Sequence, residues 1–142
     1  MTSSSDPWWR DFVGGAPART AKLAVVAADG SPRVAPIWVA LDGDDLLFNT
    51  GEKTAKGKAI QRDPRVALCW DDERPPFSFV IVHGTAAISR DLDEVREWAT
   101  VIGGRYMGSD RAEEYGVRNG VPGELLVRVT PTNVIAERDI AN

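Results

Sequence analysis

The segment from Thr50 to Lys58 (TGEKTAKGK) contains the residue types and spacing most suited to binding chemistry. A strand ends there, a short loop follows, and Thr54 is placed to cap the next helix. The first-turn amides of a helix are unpaired and, with the helix dipole, they attract an anion. Thr50 and Thr54 would add hydroxyl donors. Lys56 and Lys58 are cations where the dipole disfavours them, which an anion bound between them would explain; a solvated lysine cluster on a capped helix fits the same pattern.

The remaining candidates for catalysis are few. His83 is the single histidine and lies inside a predicted strand, where a structural role or a contact with the edge of a cofactor is favoured over a catalytic base. Cys69 is the single cysteine and lies in an apolar run, so it is predicted to be a buried small hydrophobe. One histidine and one cysteine do not make a typical zinc site, and no metal site is predicted. The sequence identifies no catalytic residue.

Size and charge limit the class of protein. The 142 residues predict a single domain over 1–142, with 1–5 disordered. The net charge of −4, from 17 basic and 21 acidic residues, argues against a nucleic-acid partner. No signal peptide or apolar run of membrane-spanning length is visible. The sequence therefore predicts a cytoplasmic protein without a membrane partner.

The pattern of apolar residues and turns predicts mainly strands with a few helices. Asp6 and Pro7 open a short helix that ends at Gly14, with Trp8 and Trp9 in its apolar stripe. Strands are predicted over 23–27, 34–41, 46–50, 65–70, 77–89, 124–129 and 133–137, with Gly84 as a bulge, and helices over 54–62 and 91–102. Residues 105–120 are read as helical fragments with loops.

The first three strands, joined by the tight turns at Asp29–Gly30 and 42–45, are expected to form a meander. Pro36 places the second of them at a sheet edge, because proline cannot donate a ladder hydrogen bond. Short antiparallel strands with an inserted helix exclude a doubly wound parallel sheet and favour a small β-barrel, closed or half-closed.

The ordered set of short motifs from Arg33 to Trp70 resembles the pyridoxamine 5′-phosphate oxidase-like superfamily, whose fold is a split β-barrel that binds FMN or related cofactors. The matching motifs are Pro36–Trp38 (PIW), the turn 42–44 (DGD), Leu47–Thr50 (LFNT), Thr54–Lys56 (TAK) and Arg62–Val66 (RDPRV). The order of strands extends the resemblance over residues 6–137.

The resemblance implies a cofactor site. Thr50, Thr54 and Lys56 match positions that grip the cofactor phosphate, Lys58 is an extra contact, and the backbone of the Pro36–Trp38 stretch runs along the tricyclic ring. The predicted cofactor-binding residues are Pro36, Ile37, Trp38, Thr50, Thr54, Ala55, Lys56 and Lys58.

The short chains that this sequence most resembles use the deazaflavin coenzyme F-420. The oxidases proper, which use FMN, carry an arginine and a lysine along the second strand where this chain has Val34 and Val39. The resemblance thus implies an F-420-dependent oxidoreductase that transfers hydride between the reduced cofactor and a small conjugated organic acceptor. An FMN-dependent oxidoreductase and a non-catalytic flavin or deazaflavin carrier are the alternatives.

The resemblance also implies a homodimer with its sites at the interface. The aromatic excess favours the same state, since Trp8, Trp9 and Trp38 have no obvious shared core in the sequence pattern and aromatic residues are commonly buried between subunits.

Overall fold

A computed structural model describes residues 8–142 of the chain. The first helix, α1 (Trp8–Gly14), ends where the glycines predicted it. The predicted cap at Asp6–Pro7 and the predicted disorder of 1–5 lie outside the described residues. Trp9 and Val13 are buried in the main core. Trp9 therefore belongs to the core of one chain, and it no longer counts as an argument for a subunit interface.

The architecture is a single antiparallel sheet of seven strands with helices around it, which confirms the predicted split-barrel class. The strands are β1 (Ala21–Val26), β2 (Pro32–Ile37), β3 (Ala40–Asp42), β4 (Asp45–Gly51), β5 (Arg65–Asp72), β6 (Ser78–Ser89) and β7 (Glu124–Glu137). Their order across the sheet is β2-β1-β5-β6-β7-β4-β3. The helices after α1 are α2 (Ala55–Arg62), α3 (Leu92–Met107) and α4 (Ala112–Asn119), with a 3-10 turn at Ser109–Arg111 between the last two.

The two long central strands, β6 and β7, carry the bend of the barrel. Their pairing shifts register between His83 and Gly84, which confirms the predicted bulge. A Cβ on Gly84 would stand 2.7 Å from the carbonyl oxygen of Thr130, so only glycine permits this close approach. The strand β7 continues through Pro131, where two separate strands were predicted, because proline is tolerated at the irregular point of a ladder.

The predicted meander of three strands is wrong. β1 and β2 form the expected hairpin, and Gly30 supplies the positive φ of its turn. The predicted strand 34–41, however, is divided: β2 ends at Ile37, and the chain crosses to the opposite edge of the sheet, where β3 pairs with β4. Pro36 does lie in an edge strand, as predicted. Because β2 ends at Ile37, Trp38 lies outside the strand and turns toward the helices.

Residues 105–120 contain the end of α3, the 3-10 turn and α4, and α4 folds back onto α3. Gly103 lies against Tyr115, and a Cβ at Gly103 would come within 2.3 Å of the Tyr115 Cβ. Gly116 lies equally close to Thr100. α3 begins at Leu92 and is capped by the Asp91 side chain, as predicted, and it runs five residues beyond the predicted end at Ile102. No helix in the described part of the chain is long and apolar enough to cross a membrane.

Candidate functional site

The loop between β4 and α2 is held by a chain of threonine hydroxyls. Thr54 caps α2: its Oγ1 accepts from the Gly57 amide at 3.0 Å and donates to the Gly51 carbonyl at 2.8 Å. The Thr50 hydroxyl, which is 3% exposed, lies 2.9 Å from the same Oγ1. Because the single hydrogen of Thr54 goes to Gly51, Thr50 is the donor in that pair. Both hydroxyls therefore shape the loop, and their predicted contact with a cofactor phosphate stays a prediction.

Gly57 explains why a glycine stands within the first turns of α2. A Cβ at this position would come within 2.1 Å of the Gly51 carbonyl oxygen and 3.0 Å of the Thr54 Oγ1. The helix start is thereby packed directly onto the end of β4.

A recess of about 430 Å³ lies between the start of α2 and the edge of the sheet; we call it the cationic recess. Its lining residues are Leu23, Val25, Ala27, Arg33, Val34, Ala35, Ala55, Lys56, Ala59 and Arg62. The lining combines an apolar floor with three cations, Arg33, Lys56 and Arg62, and contains no acidic residue. None of the three cations forms an ion pair within the described part of the chain. Such a set of donors suits an anionic group attached to an apolar body.

A second cleft, of about 400 Å³, continues from the first along the other half of β2; we call it the polar cleft. Its lining residues are Thr20, Pro36, Ile37, Trp38, Asn49, Lys56, Ile102, Asn119 and Glu124. Lys56 lines both spaces, so they adjoin at this residue. Because β2 is an edge strand, the backbone groups on the side away from β1 are not paired by the sheet.

Trp38 is held in the wall of the polar cleft by aromatic packing and hydrogen bonds. Its ring stacks on Tyr106 with centroids 5.1 Å apart and planes 3° apart, and Tyr115 meets it edge-on. The Tyr106 hydroxyl accepts from the Val39 amide at 3.1 Å and donates to the Arg19 carbonyl at 2.7 Å. Trp38 thus has a partner within its own chain, so the argument from unpaired tryptophans to a dimer no longer holds for it.

The neighbouring Arg105 fixes the same region from the helix side. Its guanidinium donates to the carbonyl oxygens of Val13 at 2.8 Å, of Gly15 at 2.8 Å and of Val39 at 3.2 Å. These contacts join α3, the end of α1 and the segment after β2. The wall that carries Trp38 is therefore rigidly supported.

The structure brings most of the predicted site residues together. Pro36, Ile37, Trp38 and Lys56 line the polar cleft, and Ala55 lines the cationic recess with Lys56. Lys58 is exposed and lines neither space.

His83 and Cys69, the single histidine and the single cysteine, line neither of these spaces. His83 and Cys69 are on the outer face of the sheet, where His83 is exposed and Cys69 is half-buried instead of fully buried as predicted. Burial still raises the pKa of the Cys69 thiol, so the thiol is not activated. Groups of acidic, histidine and cysteine side chains able to hold a metal ion are absent from the described residues.

The sequence interpretation missed three charged residues of the groove: Arg33, Arg62 and Glu124. Val34 and Val39 stand where the oxidases have cations, which favours F-420 over FMN, yet Arg33 lies on β2 and lines the recess beside Lys56. The alternation of residues along β2 could have placed Arg33 on the same side as Ala35. The pattern of nearby residues could not show that α2 borders the same recess.

Comparison with known proteins agrees with this architecture. The family model described as pyridoxamine 5′-phosphate oxidase matches residues 9–137. No curated protein matches the chain. A conserved hypothetical protein from Mycobacterium tuberculosis has a structure similar to this one, with a TM-score of 0.84, 23% identity, and coverage of 97% of this chain and 88% of that chain.

Two further solved structures are similar. An F-420 reductase gives a TM-score of 0.67 at 26% identity, covering 83% of this chain and 90% of that chain. The general stress protein 26 from Bacillus anthracis gives a TM-score of 0.61 at 21% identity, covering 84% of each chain.

Proposed function

Because the chain belongs to the pyridoxamine 5′-phosphate oxidase family, we propose that it binds a phosphorylated flavin or deazaflavin along β2. The observation that carries this proposal is the continuity of the two spaces at Lys56. The cationic recess offers three cations to a phosphate, and the polar cleft offers the edge of β2 and the Trp38 ring to a planar heterocycle. The residues present therefore fit a cofactor with a phosphate at one end and a flat ring at the other.

The finer proposal is an F-420-dependent oxidoreductase that acts on a small conjugated organic acceptor. The structural similarity to an F-420 reductase at 26% identity supports it. When bound, such a coenzyme supplies the hydride chemistry. The chain's own part is to hold the phosphate with Arg33, Lys56 and Arg62, to orient the ring against Pro36–Trp38, and to exclude water with the α3–α4 hairpin, which reaches the cleft through Ile102 and Asn119.

An FMN-dependent oxidoreductase is the second candidate, and Arg33 is the observation that favours it. A phosphomonoester carries up to two negative charges, so three cations around one recess suit FMN as well as a deazaflavin. The third alternative, a carrier without turnover, differs from both only in its kinetics.

We further propose that the chain forms a homodimer through the outer face of its sheet. Side chains on this face that are half-buried in the single chain, and small or apolar, adjoin one another across four strands: Ala24, Ala67, Cys69, Ile81 and Ile135. On the same face Lys22 lies opposite Cys69 and His83 lies opposite Ala67, and an apolar patch with polar neighbours of this kind is typical of a subunit interface.

A turnover assay tests the enzymatic proposal. Reduced F-420 is mixed with the protein and a panel of enones and quinones, and reoxidation of the coenzyme is followed by its absorbance and fluorescence. We expect protein-dependent oxidation with at least one conjugated acceptor and none with saturated analogues. Tight coenzyme binding without oxidation across the panel would favour the carrier, and activity with FMN alone would favour the second candidate.

A further inference from the structure

Glu124 places a carboxylate against the loop that precedes α2. It is the first residue of β7 and pairs with Gly51, the last residue of β4. Its Oε2 lies 3.7 Å from the point where a Cβ on Gly51 would stand. A half-buried carboxylate is therefore built into the wall of the polar cleft, and that wall also contains Lys56, one of the three cations that we propose to hold a phosphate.

Lys56 is the cation that faces this carboxylate across the cleft. No ion pair within 4 Å joins Lys56 to Glu124 or to any other acid in the described part of the chain, so the two charges interact without direct contact. Burial raises the pKa of Glu124, and the charge of Lys56 acts in the opposite direction. Glu52, the other acid near the loop, is held by Arg90 at 3.8 Å and lines neither the polar cleft nor the cationic recess; it lines a third hollow, which Lys53, Pro122 and Glu124 also line.

We propose that Glu124 is a specificity-determining residue, which favours a cofactor with a singly charged phosphodiester over one with a doubly charged phosphomonoester. The inference rests on the proposed function. With Arg33 on β2, a lack of cations on that strand no longer distinguishes F-420 from FMN. Glu124 provides another distinction, because the phosphate of F-420 is a diester and that of FMN is a monoester.

The selectivity follows from Coulomb's law in a partly buried groove. A phosphate held by Lys56 stands near the Glu124 carboxylate, and each additional negative charge on that phosphate is repelled by it. For unit charges about 7 Å apart at an effective dielectric constant of roughly 40, the repulsion changes an affinity by roughly sevenfold. A phosphomonoester that has lost its second proton carries one more negative charge than a phosphodiester, so Glu124 repels it by this additional amount.

The test compares ligands that differ only in that one charge. Dissociation constants for FMN and for its 5′-methyl ester are measured by flavin fluorescence at one salt concentration and pH 8, with wild type, Glu124→Gln and Glu52→Gln. The isosteric Gln keeps the shape of the cleft wall. Glu52→Gln removes one nearby charge that lies outside both the polar cleft and the cationic recess. We expect Glu124→Gln to tighten FMN binding by roughly sevenfold relative to the ester, and Glu52→Gln to leave that ratio unchanged.

An unchanged ratio in Glu124→Gln, or an equal change in Glu52→Gln, would overturn the inference while the proposed function stands. If wild type binds neither flavin and also fails to bind F-420, the proposed function and the inference fall together.

Discussion

Replacement of Lys56 by alanine is expected to weaken the binding of F-420 by roughly ten- to hundredfold. Lys56 lines both the cationic recess and the polar cleft and forms no ion pair with the described residues, so its charge is available to a ligand at the junction. A charge-assisted hydrogen bond to a phosphate contributes about 1.5–3 kcal/mol. The free energy of unfolding should stay unchanged or rise slightly, because a cation is removed from the first turn of a helix.

Lys53→Ala is the matched control for the loss of one positive charge. Lys53 is exposed in the loop before the cap and lines the hollow beyond Glu124, outside the proposed groove. Titration of F-420 by fluorescence at constant salt, with thermal unfolding measured beside it, compares the two variants. If Lys53→Ala weakens binding as much as Lys56→Ala, the attraction is a diffuse effect of charge, and the phosphate does not lie at Lys56.

A glutamate at Ile81 is expected to convert the proposed homodimer to a monomer. Ile81 lies at the centre of the outer sheet face, opposite Cys69 on β5 and Ile135 on β7. A charge buried there without a partner costs several kcal/mol in each subunit, which exceeds what the rest of such an interface returns. Light scattering after size-exclusion chromatography at micromolar concentration measures the mass.

Val101→Glu provides the comparison for this experiment. Val101 is an apolar residue of α3 that is 47% exposed and is not one of the five residues of the proposed interface, so its replacement should leave the dimer intact. A monomeric wild type, or a dimer that survives Ile81→Glu with a folded circular dichroism spectrum, would contradict the proposed interface.

The parts of the fold that depend on nearby residues could be predicted from the sequence. The cap of Thr54, the cap of Asp91, the turn at Gly30 and the bulge at Gly84 all follow from local backbone requirements, and the structure confirms each of them. The short antiparallel strands around one inserted helix likewise predict a small β-barrel, whereas the split-barrel class came from the resemblance to the pyridoxamine 5′-phosphate oxidase-like superfamily.

The features that depend on distant contacts could not be predicted. The crossing of the chain after Ile37 is fixed by Tyr106 and Arg105, which lie more than sixty residues later in the sequence. Likewise, Arg33 and Glu124 enter the groove only because β2 packs beside α2 and β7 pairs with β4. A single sequence shows which residues of a strand lie on the same face, but it does not show which element packs against that face.

The central claim, that the groove along β2 selects a phosphorylated deazaflavin, is tested most directly by an equilibrium titration. F-420 and FMN are each added to the wild-type protein under the same salt and pH, and binding is followed by the fluorescence of the cofactor. We expect F-420 to bind more tightly than FMN, and we expect Lys56→Ala to weaken the binding of both cofactors. Equal or tighter binding of FMN would contradict the deazaflavin assignment, and binding of neither would contradict the site.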